Sequence, residues 1–443
     1  MTTLGRQMLL LCVFASVSQS IAQNKTDTVN TLQSKAAKVF IDCQSCDEAY
    51  IRTEISFVNY VRDSKEADVH VLMTQQSTAS GGHEYTLTLI GQHGFANMND
   101  TLVYVSKQSE TDDIIRKGLV RVLKTGLLRY AMHTPFADFL SVNYEKGSES
   151  KDVADRWDYW VFRFTFNTVL NGEQQHSNDN LYGSVTASRV TNDWKINLSV
   201  NGSYNEDNYE VLQSDPDTSY NIFTIRRSQY FNGLVVKSID DHWSAGLGGT
   251  VGASTYSNTA YSINLSPALE YDLFPYSQST RQQLRFTYRV GYNAVKYNDS
   301  TIYDKIDESY ASQSLAIALD LKQTWGTISM SVSGQQYPGD FRNHGRPLDK
   351  QISWGLFGGA TWRVFEGLTL NLFAQYSAVH DQFGLLKGGA SRDDVLLQRR
   401  QLETSYSYFA SIGFSYTFGS IYNNIVNPRM GSDSGGGITI TMN

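Results

Sequence analysis

From Arg156 to Ser420 the chain alternates apolar and polar residues with a period of two. In Trp160, Phe162, Phe164 and Phe166 one face is aromatic, while Arg163, Thr165 and Asn167 between them are polar. Leu315, Ile317, Leu319 and Leu321 alternate with Ala316, Ala318, Asp320 and Lys322. The cleanest run is the last: Tyr406, Tyr408, Ala410, Ile412, Phe414, Tyr416 and Phe418 against Ser407, Ser411, Gly413, Ser415 and Thr417. A two-residue period sends successive side chains to opposite faces of a strand, so the pattern predicts an all-β region. Twelve strands are expected, starting near Arg156, Leu181, Trp194, Asn221, Trp243, Tyr261, Gln282, Tyr310, Gly326, Gln351, Leu368 and Thr404. The fourth loses clean alternation at Arg226-Arg227, where a bulge is expected, and this leaves ten or fourteen strands open as well.

Residues 24–135 have a different rhythm. Apolar, β-branched runs at Ala36–Cys43, Val69–Thr74, Tyr85–Ile90 and Asp100–Ser106 read as strands. Asp47–Val61 carries Ile51, Ile55, Val58 and Val61 at helical spacing. Ser109–Met132 reads as an amphipathic helix, with Ser109 and Asp112 placed as a capping-box variant. The order β-α-β-β-β-α predicts a small α+β domain. Gly81-Gly82 reads as a hairpin turn, and the segment holds neither a Gly-rich phosphate loop nor a nucleophile elbow.

Residues 1–22 read as a secretory signal: Arg6 begins it, Met8–Val17 is apolar but too short to span a bilayer, and Ser20-Ile21-Ala22 suits cleavage. Export leaves Cys43 and Cys46, spaced C-x-x-C. Three readings stand: a small structural disulfide, a thioredoxin-like redox pair, or half of a metal site. Asp42, Asp47 and Glu48 disfavour a stabilised thiolate, and His70, His83 and His93 lack metal-finger spacing, so the disulfide is the preferred reading.

Composition then narrows the classes. The 443 residues carry a net charge of −7, which argues against a dedicated nucleic-acid binder. The 55 aromatics (27 Tyr, 21 Phe, 7 Trp) sit in a chain whose mean hydropathy is −0.35. No apolar run is long enough for a membrane-spanning helix, but long strands with one apolar face suit a wall between lipid and a wet interior. A soluble β-sandwich or a secreted β-helix is the competing reading, though sandwich strands are usually about five or six residues long. If residues 24–135 lie in the periplasm, the connections at Thr191–Asp193, Asp240–His242, Pro275–Arg281, Thr324–Gly326 and Glu366-Gly367 are the short periplasmic turns. Longer outer connections are then expected at Asn171–Asn180, Glu206–Tyr220, Asn298–Ser309, Tyr337–Lys350 and His380–Glu403, while the one around Ser257-Asn258 is short.

The export signal, the period over Arg156–Ser420 and the aromatic end Tyr416-Thr417-Phe418 together resemble bacterial outer-membrane β-barrel proteins. The N-terminal segment, with Val39-Phe40-Ile41-Asp42-Cys43 and Phe57–Asp63, looks like an uncharacterised periplasmic module that precedes such barrels and implies no activity. The resemblance implies outer-membrane lipid around the strands, with Tyr416 and Phe418 read by the barrel-assembly machinery, and a periplasmic protein partner is a further possibility. In the family the aromatic signal ends the chain, whereas here residues 419–443 follow, either adding a strand to the periplasmic domain or turning into the lumen. The expected organisation is a signal at 1–22, an α+β domain at 24–135, a linker at 136–155, a transmembrane β-barrel of about 12 antiparallel strands at 156–420 and a tail at 421–443.

Turning the polar face inward places Arg163, Glu270, Asp272, Arg285, Arg289, Asp320 and Lys322 in the lumen, with Glu270 opposite Arg285. These charges either neutralise a narrow packed lumen or form a constriction that selects solutes, and mixed charge predicts weak ion selectivity. Ser391–Arg400 in the last outer connection reads as a capped helical turn that is solvated, plugs the mouth or meets an outside partner. His176, His242, His344 and His380 have no outward Ser partner, so no enzyme, cofactor or metal is expected. The expected function is a narrow channel or solute-transport barrel coupled to its periplasmic domain. The alternative is a closed-lumen structural or assembly barrel that works through that domain.

Overall fold

The computed structural model describes residues 35–43, 46–78, 81–141, 157–212, 219–340, 351–389, 391, 394, 400–420, 422 and 424. The expected signal at 1–22, most of the linker and the end of the tail lie outside the described residues.

The N-terminal domain is a five-stranded sheet, ordered β2-β1-β3-β4-β5, under one long helix. Its strands are β1 (Lys38–Asp42), β2 (Asn59–Tyr60), β3 (Val69–Ser77), β4 (His83–Gly91) and β5 (Asp100–Val105). Helix α1 (Glu48–Glu54) is shorter than its apolar spacing suggested, because Ile55 ends it and Val58–Tyr60 turn back as an extended segment parallel to β1. This small strand makes the order β-α-β-β-β-β-α. Helix α2 (Asp112–Ala131) is capped by Thr111, whose side chain accepts the Ile114 N–H, and not by Ser109. Leu119, Val120, Leu123, Leu127 and Tyr130 on one stripe of α2 pack on Val71, Leu87 and Leu89, all buried. Gly118 and Gly126 let the helix sit close, since a Cβ at Gly118 would fall 2.3 Å from the Tyr104 ring. At Gly81 the β3–β4 turn takes φ +81, a region that L side chains rarely adopt.

The second region is one antiparallel sheet of twelve strands in which each strand pairs with the next, from β6 to β17. They are β6 (Trp160–Gly172), β7 (His176–Val190), β8 (Trp194–Leu212), β9 (Ser219–Ser238), β10 (Trp243–Ser254), β11 (Thr259–Asp272), β12 (Gln282–Tyr297), β13 (Asp307–Gln323), β14 (Gly326–Gln336), β15 (Ile352–Phe365), β16 (Leu368–Ala378) and β17 (Tyr406–Tyr416). Among the described residues β6 and β17 are the two edges and do not pair. The ladder through Arg226-Arg227 is unbroken, so the expected bulge is absent there; irregularities fall instead near Gly252, Thr259 and Arg363. Arg226 keeps the period by pointing inward to Asp207, while Arg227 lies over the Tyr204 ring.

Registers sort the two faces. Phe164, Val185, Val200, Phe231, Val251 and Ile263 are successive cross-strand neighbours over β6–β11, and every one is exposed. On the edge strand Ile412 is 82% exposed and Phe414 76%. Each such side chain left in water forgoes about 1.5–3 kcal/mol of burial, so this face is built for an apolar surrounding. The first outer connection shrinks to residues 173–175, because the polar run His176–Asn180 joins β7 rather than a loop. There Asn178 donates to Asp207 (2.6 Å) and Arg226 binds Asp207 (3.0 Å), so β7–β9 continue beyond the apolar band as a polar ladder.

Leu123 is 1% exposed at the centre of the domain core. Leu123→Ala is expected to destabilise that domain by about 2–5 kcal/mol. Amides of β3 and β4 then exchange at least tenfold faster while β7–β16 keep their protection; equal loss in both regions would show that the domain has no core of its own.

Candidate functional site

Two features occupy the domain side of the sheet: a charged junction and, above it, a polar recess. The junction centres on Asp42, the last residue of β1. Its carboxylate accepts both Arg363 Nη atoms, at 2.8 and 2.7 Å, and lies 3.0 Å from Nε2 of His70, which is fully buried. Arg363 also donates to the Thr324 carbonyl and stands over the Phe40 ring. Two-pronged pairing suits a planar guanidinium and fixes orientation as well as distance. Burial alone would raise the Asp42 carboxyl, but hydrogen bonds from His70 and Arg363, with their charge, outweigh it and hold the group below the usual carboxylate range.

A second tie joins Asp63 to the β15–β16 turn, where the Gly367 N–H donates to its Oδ2 at 2.6 Å. Gly367 has φ +77, so a glycine both makes the turn and exposes that amide. Among the described residues the tail passes the domain through a single bridge and forms no strand there. Tyr422 bridges to Val61, and Asn424 accepts the Tyr60 N–H at 2.6 Å and donates to Asn59 at 2.9 Å, along the β2 edge. The domain thus sits at the end of the sheet that carries the short turns. A recess of about 440 Å³ separates the two, lined by Asp42, Cys43, Met73 and Gln75 on one side and Lys322, Thr327, Thr361 and Arg363 on the other. Cys43 and Cys46 form a disulfide beside it.

The second recess, of about 640 Å³, lies on the inner face of β8–β12. Glu270, Arg285 and Arg289 line it together, as does Lys195, which the sequence reading did not select. The expected Glu270–Arg285 pairing is two residues out of step. The ladder closes at Leu273–Leu284 around the short helix Tyr276–Gln278, setting Glu270 opposite Thr287 and Asp272 opposite Arg285. A shift of two preserves the face, which is why Glu270 and Arg285 still point inward. Glu270 accepts from Thr287 Oγ1 (2.9 Å) and the Tyr276 hydroxyl (3.1 Å). Asp272 is fully buried, accepting the Leu284 N–H at 3.1 Å, and so does not line the recess. Asp320 accepts from Ser329 (2.6 Å) and stands 3.8 Å from Arg285. Lys322 belongs to the junction recess, and Arg163 reaches the Gly81 turn of the domain.

At the opposite end the last connection folds across the others. Asn258 donates to the Gly384 carbonyl (3.1 Å), Ile302 to Leu385 (2.8 Å), Lys387 to Ser300 (3.0 Å) and Gln401 to Tyr256 (3.0 Å). Phe383 is buried edge-on between Tyr310 and Tyr337, ring centroids 5.3 and 4.7 Å away, and the Tyr337 hydroxyl donates to Asp381. The connection therefore spans from β16–β17 to β10–β13 through Val379–Lys387, ahead of the expected helical turn. Of the expected helical turn, Ser391 and Asp394 cap each other and Arg400 binds Asp394 at 2.8 Å; its body is outside the described residues.

Arg363→Ala leaves a half-buried carboxylate with one partner fewer, weakening the junction by about 2–3 kcal/mol. Hydrogen exchange at Gly367 checks this, with at least tenfold faster exchange expected and an unchanged rate contradicting it. Because the Asp42 pKa is lowered, its contribution is present above the ordinary aspartate value of about 3.9 and is lost as pH falls through the lowered one. Gly367 protection is therefore expected to be flat from pH 8 to 5 and to fall only in stronger acid; a loss between pH 7 and 5 would contradict the assignment to Asp42.

No family model matches the chain, and no curated protein matches it. Eighteen chains among the solved structures match. One is a NanC porin structure in a rhombohedral crystal form, 13% identical, covering 58% of this chain and 99% of that chain with a TM-score of 0.26. At that TM-score the overlap adds nothing to what the strand registers show.

Proposed function

We propose that the chain is an integral outer-membrane protein whose twelve strands close into a barrel, forming a narrow channel covered by its own domain on the periplasmic side. The observation that carries this reading is the division of twelve consecutive strands into an exposed apolar face and a polar one. Lipid satisfies the first, and a wet lumen the second. An unpaired strand edge in hydrocarbon leaves backbone groups without partners, at several kcal/mol each, so β6 and β17 pair with each other in the membrane. Signal cleavage after Ala22, recognition of Tyr416 and Phe418 during assembly, and the absence of catalysis belong to the same reading.

The closed-lumen alternative is favoured by one observation, that both ends are covered: the domain by its ties to Arg363 and Gly367, and the other mouth by Val379–Lys387. Conductance in planar bilayers separates the two. As a channel, the full chain gives small discrete steps, and Phe383→Ala, which loosens the outer connection, raises open probability severalfold. The absence of discrete steps from the full chain, Phe383→Ala and Arg363→Ala alike would overturn the channel reading and leave the closed barrel.

A further inference from the structure

We infer that the recess on the inner face of β8–β12 is a binding site for small anions bearing a carboxylate or phosphate group, a conclusion that rests on the lumen reading above. The volume comes from β10, whose inward residues are Ser244, Gly246, Gly248 and Thr250. Side chains that small leave about 640 Å³ open beside the strands that carry the charge.

That charge is unevenly committed. The recess holds Lys195, Arg285 and Arg289 against one carboxylate, Glu270. Glu270 accepts two hydroxyl donors, so its oxygens are occupied. Arg289 lies between Ala268 on β11 and Ser314 on β13, neighbours too short and too neutral to answer a guanidinium. Lys195 stands between Val190 and Val236. Neither has an ion pair among the described residues, and Arg285 has only Asp320 at 3.8 Å. Arg285 and Arg289 are four residues apart on β12, about 13 Å along the strand, with Thr287 between them. A guanidinium presents donors in a fork that matches carboxylate and phosphate oxygens, and a low-dielectric wall strengthens the attraction. Lys195 in the lining adds a further donor. Arg285 is answered by Asp320 and faces Asp272 across the ladder, so the charge available to a ligand is that of Arg289 and Lys195, and a preference for anions replaces the weak ion selectivity expected from mixed charge.

The test uses the full chain in detergent micelles, with inorganic phosphate and succinate as separate probes and erythritol as the neutral control. Saturable binding of one or both anions is expected, with phosphate alone or succinate alone naming the source. Arg289→Ala is expected to weaken binding at least tenfold, and Arg289→Lys to restore part of it. Lys237→Ala, an outward-facing cation over Trp194, is expected to leave it unchanged. Equal affinity in Arg289→Ala and the unsubstituted chain, or erythritol competing as well as the anions, would overturn the site. Reversal potentials in bilayers give a second readout, with the shift towards anions reduced in Arg289→Ala. Discrete conductance without anion preference or binding would overturn the site and leave the channel; binding without conductance would support the site and remove the channel.

Discussion

In the proposed membrane setting a strand surrounded by hydrocarbon has no water to satisfy its N–H and C=O groups, and the organisation of the twelve-stranded sheet answers that constraint. The solution is a meander in which each strand is bonded to the next, so that only the first and last present an edge. Once the backbone is satisfied by neighbours, the side chains are free to divide by parity. The division costs nothing in average hydropathy, which is how 55 aromatics coexist with a mean of −0.35. Beyond the apolar band of β7–β9 polar residues stand on both faces, Asn178, Asp207 and Arg226 on one and Asp179, Asn208 and Arg227 on the other.

The domain depends on the sheet in a different way. Its core is independent, with α2 packed on β3 and β4, and among the described residues its contacts with the sheet and tail include a two-pronged ion pair, a turn amide, Arg163 at the Gly81 turn and the tail along β2. Such contacts are directional rather than extensive. They hold the domain in one orientation at the short-turn end of the sheet.

Strand number and facing were legible because a period of two repeated over hundreds of residues admits one register of inward and outward positions. Eleven observed strand starts fall within a few residues of the expected ones, the second being displaced by the polar ladder of His176–Asn180. Cross-strand partners were less legible. The Glu270–Thr287 pairing turned on the helix at Tyr276–Gln278, and a turn's internal conformation is invisible to periodicity. The junction was missed altogether. In the sequence Asp42 reads as a neighbour of Cys43 and His70 as a candidate metal ligand, and Arg363 draws no notice, since nothing local links positions 321 residues apart. Two signals were available: an inward arginine beside a short turn, and an aspartate ending a buried strand. Lys195 was passed over in the same way, because a lone cation on a polar face has no motif around it.

The central claim is that the parity of the strands divides lipid from water, and β17 tests it most directly because it is an edge as well as a wall. Spin labels placed singly at positions 406–416 in lipid vesicles report oxygen access, which is high in hydrocarbon, against access of a water-soluble nickel complex. The account predicts strict alternation, with oxygen favoured at the even positions of Tyr408, Ile412 and Phe414 and nickel at the odd positions of Ser411 and Ser415. Equal nickel access on both faces would mean that no lipid meets this strand, and the membrane barrel would be wrong.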